Sequence, residues 1–398
     1  MRFLICFITL LTMQAAEKRV IGPKGGPYSP GLMVGEFLYV SGQGATKADG
    51  SMAASTDDQL RQCFENIKSI VEAAGLTMES VVMAQVYLTD ARKEDTLNLV
   101  WKEFFPNNPP ARSTIGVASL PGTPVEVNAI AVRDLASKKR VAPAGHPTAA
   151  PFAPGILVGE RLFLSGFPGR DGKTGKIPDD PASQVELSLD SMRQTLRAAG
   201  MDYQNLVFVN PYLTDKMPMD VMNKVYASHF EFGKTPARAT IRVNDLLNGA
   251  SIEFSGIAVR DLQQRRAVRP KNMPPSPTAS PCVFAGDTLY CSAKSGFIPG
   301  PKSGIYASTV EHQLRQTMRN LLDGLEEAGM DFSNVVASNV YLDNLSDFAA
   351  MNRVYTQYFA DGVMPARTTV QQVPPSERKP DAEGRWPTLE QISIIAVK

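Results

Sequence analysis

The chain has 398 residues and a formal net charge of +1, with 41 Lys and Arg against 40 Asp and Glu. This balance excludes a strongly basic surface that recruits nucleic acid, and it excludes an acidic tail. A hydrophobic content of 43% is typical of a globular protein, and the length exceeds what one hydrophobic core usually supports.

The first predicted element is an export signal at residues 1–16. Arg2 precedes an apolar run at residues 3–13, and small residues follow at 15–16. A positive start, a short apolar run and small residues near a cleavage point are typical of a secretory signal peptide. We therefore expect an exported protein, periplasmic or secreted, with no membrane association after cleavage. The alternative is a cytosolic chain with an apolar leader.

After this segment one order of elements recurs three times, at residues 20–135, 143–262 and 274–398. Each module begins with an apolar hairpin, continues with a long amphipathic helix that ends at a glycine, and then has a strand, a second helix and two strands. The apolar residues of the first long helix follow the helical period: Leu60, Phe64, Ile67, Val71 and Ala74. The pattern predicts an α+β fold in which each module is a ββαβαββ sheet with two helices on one face.

The segments between the modules are rich in proline, lysine and arginine. They lie at residues 137–147 and 263–277. This composition is typical of connectors, so we expect linkers whose charges are solvated.

Two cysteines of module three lie in one predicted hairpin. A two-residue turn at Gly286 and Asp287 places Cys282 directly opposite Cys291. Opposed residues of this kind are close enough to form a disulfide, and two reduced buried thiols are the alternative. The three histidines stand alone, and no metal-ligand spacing occurs, so a zinc site is not expected.

A three-residue motif, Pro-Ala-Arg, recurs once in each module. It ends at Arg112, Arg238 and Arg367, at nearly constant spacing. A planar guanidinium binds a carboxylate with two parallel hydrogen bonds, so each arginine is a candidate for holding an acidic ligand.

An acidic residue follows the motif in two of the modules. Glu126 and Glu253 lie on the next strand, while the corresponding position in module three is Gln391, beyond an inserted loop at residues 376–385. A carboxylate near such an arginine can position or deprotonate water. The alternative is an Arg–Glu ion pair that ties neighbouring strands.

These motifs, with others in the same register, resemble the RidA/YjgF family, the reactive-intermediate deaminases also labelled endoribonuclease L-PSP. The resemblance extends from about residue 20 to residue 398, three times. In module one it rests on five segments: Gly26-Pro27-Tyr28-Ser29-Pro30, Tyr39-Val40-Ser41-Gly42-Gln43, Asn98 through Phe105, Pro110-Ala111-Arg112-Ser113, and Glu126 before Asn128-Ala129-Ile130-Ala131-Val132.

The resemblance implies a chorismate mutase-like fold that is usually a homotrimer with ligand clefts between subunits. Three modules in one chain then imply a monomeric, covalent pseudo-trimer with three non-identical clefts. The implied reaction is the hydrolysis of reactive 2-imino acids to 2-oxo acids and ammonia, with no metal or other cofactor. The implied partner is a small carboxylate-bearing imine or 2-oxo acid.

In the family the arginine holds the substrate carboxylate, the glutamate orients water, a tyrosine closes the cleft and a glycine supplies backbone contacts. The implied catalytic residues are Arg112, Glu126, Arg238 and Glu253. The implied ligand-binding residues are Tyr28, Gly42, Asn98, Phe152, Gly166, Asn223, Asn352 and Arg367.

Module three departs most from the family pattern. It has Ala279 where module one has Tyr28, Ala293 in place of the glycine, and Gln391 in place of the glutamate. With each arginine assigned to the acid of its own module, Arg367→Ala is expected to reduce hydrolysis much less than the same change at Arg112 or Arg238.

Two other functions remain open at this stage. The family label suggests a ribonuclease, although no histidine lies near the motif residues and the charge balance does not favour phosphate binding. An exported protein that binds small acids without turning them over would also keep its arginines while losing its acids, as module three does.

Overall fold

The computed structural model describes residues 17–23, 26–147, 150–271, 273–300, 304–359, 362–374 and 376–398. The expected signal peptide at residues 1–16 lies outside the described residues, so export stays a prediction. Among the helices that are described, none is long and apolar enough to cross a membrane.

Module one forms a sheet with the strand order β1-β2-β3-β6-β4-β5. The parallel pair is β4 with β5, and the other pairs are antiparallel. Its elements are β1 Lys18–Ile21, β2 Gly31–Val34, β3 Phe37–Gly44, α1 Thr56–Ala73, β4 Val81–Leu88, α2 Glu94–Phe104, β5 Ala111–Gly116 and β6 Val125–Val132.

Module two repeats this arrangement, but its last parallel strand is broken into short pieces. One of them, β13, leaves its own sheet and pairs with β5 of module one. The elements are β7 Lys138–Val141, β8 Gly155–Val158, β9 Arg161–Pro168, α3 Pro181–Ala198, β10 Leu206–Leu213, α4 Met219–Ser228, β11 Ala237–Arg238, β12 Ile241–Arg242, β13 Asp245–Leu246 and β14 Ile252–Val259.

Module three has the sheet order β15-β16-β17-β20-β18-β19, which is the order of module one. The elements are β15 Arg265–Val268, β16 Cys282–Ala285, β17 Thr288–Lys294, α5 Val310–Glu327, β18 Val335–Leu342, α6 Phe348–Tyr355, β19 Ala366–Gln371 and β20 Glu390–Val397. The three α+β modules predicted from the repeat are confirmed.

Each long helix covers one face of its own sheet, as the apolar stripes predict. Leu60, Phe64 and Ile67 are at most 1% exposed and pack against β3 and β6. The helix begins at Ser55, whose side chain accepts a hydrogen bond from the Asp58 amide. It ends just before Gly75, where a φ of 83° is a conformation that glycine adopts without steric cost.

The opposite faces of the three sheets meet in a central core that contains residues of every module. Tyr87, Tyr212 and Tyr341, which are the tyrosines of the recurring Tyr-Leu motif, lie in this core and are at most 1% exposed. The Gln85 side-chain amide donates a 2.9 Å hydrogen bond to the Tyr212 hydroxyl. The modules therefore share one core in addition to the one that each has beneath its helices.

The basic segments between modules contain strands, which corrects the expectation of solvated linkers. β7 pairs with β8 and β15 pairs with β16, so each segment adds an edge strand to the following module. The module order is therefore βββαβαββ. The charged residues of these strands suggested linkers. An edge strand can contain many charged residues, because it needs little apolar surface of its own.

A cation on each of these first strands binds backbone carbonyls of a neighbouring module. The Lys138 amine donates to the carbonyls of Glu79 at 2.8 Å and Asn108 at 2.7 Å, in module one. The Arg265 guanidinium donates to the Leu206 carbonyl at 2.9 Å, in module two.

Lys18 of module one does the same to module three, where its amine donates to the Val335 carbonyl at 2.7 Å. Each module therefore contacts both of the others.

The two cysteines of module three are opposite each other, as the hairpin count predicts. Cys282 pairs with Cys291 in the β16–β17 register, and their sulfurs form a disulfide. Cys63 is buried and free.

We predict that protein purified without reductant contains this disulfide. Alkylation after denaturation without reductant should label Cys63 but neither Cys282 nor Cys291, because the bond persists when the chain unfolds. Reduction should then make both available to the reagent, as peptide mass spectrometry can measure. Cys63 is the internal control for complete unfolding. Labelling of Cys282 and Cys291 before reduction would show that the thiols are reduced.

Candidate functional site

The backbone of each arginine in the Pro-Ala-Arg motif is hydrogen-bonded to a neighbouring module. The Arg112 amide donates a 2.8 Å hydrogen bond to the Ser165 hydroxyl of module two. That hydroxyl in turn donates to the Ala153 carbonyl at 2.5 Å, and the Ala153 amide donates to the Pro110 carbonyl at 3.2 Å. These bonds place the guanidinium of one module beside the strands of the next.

The same arrangement recurs at the other two junctions. The Arg238 amide donates to the Ser292 hydroxyl, and the Arg367 amide donates to the Ser41 hydroxyl, both at 2.8 Å. These serines precede Gly42, Gly166 and Ala293 in sequence. Sequence reasoning singled out the glycines and missed the serines, although the serines recur in the same register.

The strand order separates each arginine from the acid of its own module. Arg112 lies on β5 and Glu126 on β6, and β4 lies between them. No salt bridge joins these two residues within the described part of the chain, so the alternative of an Arg–Glu pair that ties neighbouring strands is wrong.

At the junction of modules one and two, Arg112 lies near Glu253 and Phe152, and Gly166 lies against Glu253. Arg112 is 2% exposed, and its guanidinium donates a 2.8 Å hydrogen bond to the Asn98 side chain. The guanidinium carbon lies 4.6 Å from the centre of the Phe152 ring. Two of its nitrogens, Nε and Nη1, have no hydrogen-bond partner among the described residues. We call this the Arg112 cleft.

The Arg367 cleft is the junction of module three with module one. It has a volume of about 230 Å³, and Tyr28, Gly42, Glu126 and Phe348 line it together with Arg367. The guanidinium carbon of Arg367 lies 5.2 Å from the centre of the Tyr28 ring.

The Arg367 cleft differs from the other two in the position of its asparagine. The arginine does not bind Asn352 as the other two bind their asparagines. Its Nη1 lies 3.8 Å from the Met351 sulfur, and the Asn352 oxygen has no partner among the described residues.

The Arg238 cleft joins modules two and three and has a volume of about 370 Å³. The Arg238 guanidinium donates a 2.8 Å hydrogen bond to Asn223. Across from it, Ala279, Ala293 and Gln391 occupy the positions that the tyrosine, glycine and glutamate hold in the Arg367 cleft.

Gln391 does not aim its amide at the arginine. Its Nε2 donates to the Thr240 carbonyl and to the Gln372 side chain, both at 3.0 Å. The neighbouring residue in module three is an acid, Glu390, but a shift of one position moves a side chain to the opposite face of a sheet. Glu390 is fully buried beneath the helices, where Thr317 donates a hydrogen bond to its carboxyl group. Among the described residues, no acid therefore lines the Arg238 cleft.

The geometry changes which arginine is paired with an acid. Arg112 lies near Glu253, Arg367 near Glu126, and Arg238 near Gln391. The expectation that Arg367 matters least depended on pairing each arginine with its own module. We now expect Arg238 to matter least.

A glycine is required wherever the glutamate is present. A Cβ on Gly42 would lie 1.9 Å from Oε1 of Glu126, and a Cβ on Gly166 would lie 1.9 Å from Oε1 of Glu253. Module three has Ala293 and Gln391 at these positions, and the glutamine points elsewhere. The glycine therefore makes room for the carboxyl group.

Burial controls the charge of both acids. It raises the pKa of Glu126 to about 8, against the opposing effects of a hydrogen bond from the Thr369 backbone and the charge of Arg367. Burial likewise raises the pKa of Glu253 to about 8, and the Arg112 charge opposes it. A carboxyl group with such a pKa exists in both protonation states near neutral pH, which suits proton transfer in both directions.

Burial also acts on the arginines. It lowers the pKa of Arg112 to about 10, although the charges of Glu94 and Glu253 oppose this. An arginine stays charged at that value near neutral pH. The Arg112 and Arg367 clefts can therefore hold a carboxylate on the arginine and exchange a proton at the glutamate. Within the described residues, no group of three or more His, Cys, Asp or Glu side chains could hold a metal ion.

Comparison with known proteins gives matches to one family. The family model described as Endoribonuclease L-PSP matches residues 22–133, 143–260 and 272–375. A RutC family protein of Saccharolobus solfataricus is 43% identical over 98 residues, which is 24% of this chain and 78% of the relative.

A relative with a named activity also matches one module. The 2-iminobutanoate/2-iminopropanoate deaminase of Dermatophagoides farinae is 38% identical over 110 residues, which is 27% of this chain and 86% of the relative. Among solved structures, Escherichia coli TdcF with bound serine is 37% identical and covers 29% of this chain and 100% of its own, with a TM-score of 0.28.

We predict that Gly42→Ala lowers the free energy of unfolding by about 1–3 kcal/mol, because the added Cβ displaces the buried Glu126 carboxyl group from its hydrogen bond. Gly172→Ala is the control, since a Cβ there meets no atom within 4 Å. Adding Glu126→Gln to Gly42→Ala reproduces the Ala293–Gln391 combination and should recover part of the loss. Denaturant unfolding measures all three. A Gly42→Ala protein as stable as the control would contradict the close approach.

We also predict a pH effect from Glu390, which lies outside the clefts. Burial raises its pKa to about 8, from about 4.5 in the unfolded chain. Between these values the folded protein holds a proton that the unfolded chain has released, so Glu390 makes the slope of the free energy of unfolding against pH more negative from about pH 4.5 to about pH 8. Glu390→Gln should therefore make that slope less negative in denaturant titrations at several pH values. Equal slopes in wild type and Glu390→Gln would contradict the raised pKa.

Proposed function

Because the chain belongs to the endoribonuclease L-PSP family, also called RidA/YjgF, and contains three tandem copies of its module, we propose that it hydrolyses 2-imino acids to 2-oxo acids and ammonia. The reaction would use the Arg112 and Arg367 clefts and no cofactor. The activity of the Dermatophagoides farinae relative supports this reaction class.

The observation that carries the proposal is the pairing of a buried arginine with a buried glutamate from a different module, in two clefts. In the Arg112 cleft, arginine Nε and Nη1 and the Glu253 Oε1 atom have no hydrogen-bond partner among the described residues. Buried polar groups without partners are costly, so they indicate a ligand that satisfies them. A carboxylate fits the arginine, and water or an imine nitrogen fits the glutamate.

The proposed sequence of steps begins with the substrate carboxylate on the arginine. The ionised glutamate takes a proton from water while the water oxygen bonds to the imine carbon and the π electrons of the C=N bond move to nitrogen. The glutamate returns the proton to nitrogen, which gives a neutral carbinolamine. It then transfers the hydroxyl proton to the amino group, the C–N bond breaks, and ammonia and the 2-oxo acid leave.

The same proton shuttle cannot operate in the Arg238 cleft. Gln391 has no ionisable proton, and its amide already donates to Thr240 and Gln372. We therefore propose two competent clefts in one chain. We also propose that the chain acts as a monomeric pseudo-trimer, since each cleft takes its arginine and its facing residues from two modules of the same chain.

We predict unequal effects of the three arginines. With two clefts of similar activity, Arg112→Ala or Arg367→Ala should remove about half of the saturated rate. The double variant should lose at least about 10-fold, because a charged hydrogen-bonded contact contributes about 1.5–3 kcal/mol. Arg238→Ala is the matched variant and should retain most of the rate. The measurement is 2-oxobutanoate formation from 2-iminobutanoate generated in the assay.

Three outcomes separate the alternatives. Equal losses from all three arginine variants would mean that the clefts are wrongly assigned. No loss from the double variant would remove the deaminase proposal. A wild-type protein that binds 2-oxobutanoate but forms none from the imine would be a binding protein rather than an enzyme.

A further inference from the structure

The two clefts that pair an arginine with a glutamate differ at one helix position. Glu94 is the first residue of α2 and precedes Asn98 by four residues. Phe348 is the first residue of α6 and precedes Asn352 by four residues. Residues four apart are neighbours on one face of a helix. Module one therefore places a carboxylate where module three places an aromatic ring.

Phe348 lies beside the arginine of its cleft. Its ring centre is 5.8 Å from the guanidinium carbon of Arg367, and it lines the Arg367 cleft. Among the described residues that line this cleft, the charged or ionisable ones besides Tyr28 are Arg367 and Glu126. A substrate group that extends past this arginine and glutamate therefore meets a neutral, partly aromatic wall.

Glu94 holds the equivalent place in the Arg112 cleft. Asn98, one turn further along α2, accepts the 2.8 Å hydrogen bond from the Arg112 guanidinium. Burial lowers the pKa of Arg112, and of the charges that oppose this effect Glu94 contributes more than Glu253. Glu94 is half-buried, and its carboxylate forms no salt bridge with another described residue. Its charge is therefore free to act on a ligand.

Glu94 also lines an open pocket of about 360 Å³ at the same junction of modules one and two. Asp95 of module one and Asp245 of module two line it as well, so carboxylates from both modules meet there. Among the described lining residues Arg92 is the one cation, and it forms a 2.8 Å salt bridge with Asp90. The pocket beside the Arg112 cleft is therefore acidic.

Buried groups next to Glu94 indicate that a ligand binds here. Arg112 Nε and Nη1 and Glu253 Oε1 have no hydrogen-bond partner among the described residues. Of the charges that act on Glu253, Arg112 is followed by Glu94 and then by Arg170 of module two. A substrate carboxylate balances Arg112, and Arg170 acts on Glu253, so Glu94 is the charge that remains unbalanced.

We propose that Glu94 determines specificity: the Arg112 cleft prefers 2-imino acids whose side chain ends in a cation such as a guanidinium, and the Arg367 cleft prefers neutral side chains. The inference rests on the proposed function, because it concerns the same two clefts. In the Arg112 cleft the cation meets Glu94 and the carboxylates of the adjoining pocket. In the Arg367 cleft it meets Phe348, a ring that already faces the Arg367 cation, and loses water without gaining a counter-charge.

Two imines that differ in charge but hardly in size test the proposal on the full chain. An L-amino acid oxidase in the assay makes the guanidino imine from arginine and the ureido imine from citrulline. Arg367→Ala leaves the Arg112 cleft intact, and Arg112→Ala leaves the Arg367 cleft intact. The measurement is the ratio of kcat/KM for the guanidino imine to that for the ureido imine, above the uncatalysed rates. We expect a ratio at least about 5-fold higher in the Arg367→Ala protein.

Exchanges at the helix position assign the preference to it. In the Arg367→Ala protein, Glu94→Gln should lower the ratio about 5-fold through a loss on the guanidino imine. Any effect on the arginine and acid that both imines share cancels from the ratio. In the Arg112→Ala protein, Phe348→Glu should raise the ratio. Glu72→Gln removes the charge of an exposed glutamate on α1 and is the control for a general electrostatic effect.

Equal ratios in the two single-cleft proteins, or an unchanged ratio in Glu94→Gln, would overturn the inference and leave the deaminase proposal standing. Calorimetry with the matching 2-oxo acids, 2-oxo-5-guanidinopentanoate and 2-oxo-5-ureidopentanoate, needs no turnover. If neither imine is hydrolysed, but the Arg367→Ala protein binds the guanidino acid more tightly and Glu94→Gln removes this preference, the deaminase proposal fails and the selectivity of the cleft stands. Binding of neither 2-oxo acid, or equal binding of both without hydrolysis, would overturn both proposals.

Discussion

The hydrogen bond from each arginine amide to a serine of another module is the contact on which the clefts depend. It holds a strand of one module in register with β3, β9 or β17 of another, and so fixes where the guanidinium lies. No module completes a cleft alone, because its own arginine and acid lie on strands separated by a third. The shared core and the three basic residues of the first strands hold the modules in the arrangement that these bonds require.

Within each cleft, the acid and the small residue opposite it depend on each other. The glutamate fits because glycine leaves space, and alanine occurs where glutamine has turned away. A change of the acid alone or of the glycine alone would leave a gap or a clash, so the two positions should change together. The same pairing accounts for the raised pKa values of the two buried carboxyl groups. The space beside the glycine holds the carboxyl group but is enclosed by protein, and this burial raises the pKa.

Features that lie within one module could be predicted from local sequence patterns, whereas clefts between modules were expected only from the family resemblance and without the right pairing of arginine and acid. The helix stripes, the glycine that ends each helix and the Cys282–Cys291 register follow from local periodicity and turn chemistry. The partner of Arg112 is Glu253 of a different module, and no local pattern encodes that contact. The strand at Lys138–Val141 was missed because its charges suggested a linker, yet the Lys138 amine is buried on carbonyls of module one.

Covalent linkage of the modules allows the three clefts to differ. In a symmetric ring of identical chains, any substitution appears in every cleft. In this chain a substitution affects one cleft. Which cleft it affects depends on whether the changed residue lies beside the arginine of its own module or faces the arginine of another module. Module three supplies the arginine to the Arg367 cleft and the facing wall to the Arg238 cleft. Module three has kept its arginine and has changed the residues that face Arg238. The loss of its acid therefore leaves the Arg367 cleft complete. The replacements in that facing wall, Ala293 for the glycine and Gln391 for the glutamate, therefore alter the Arg238 cleft alone.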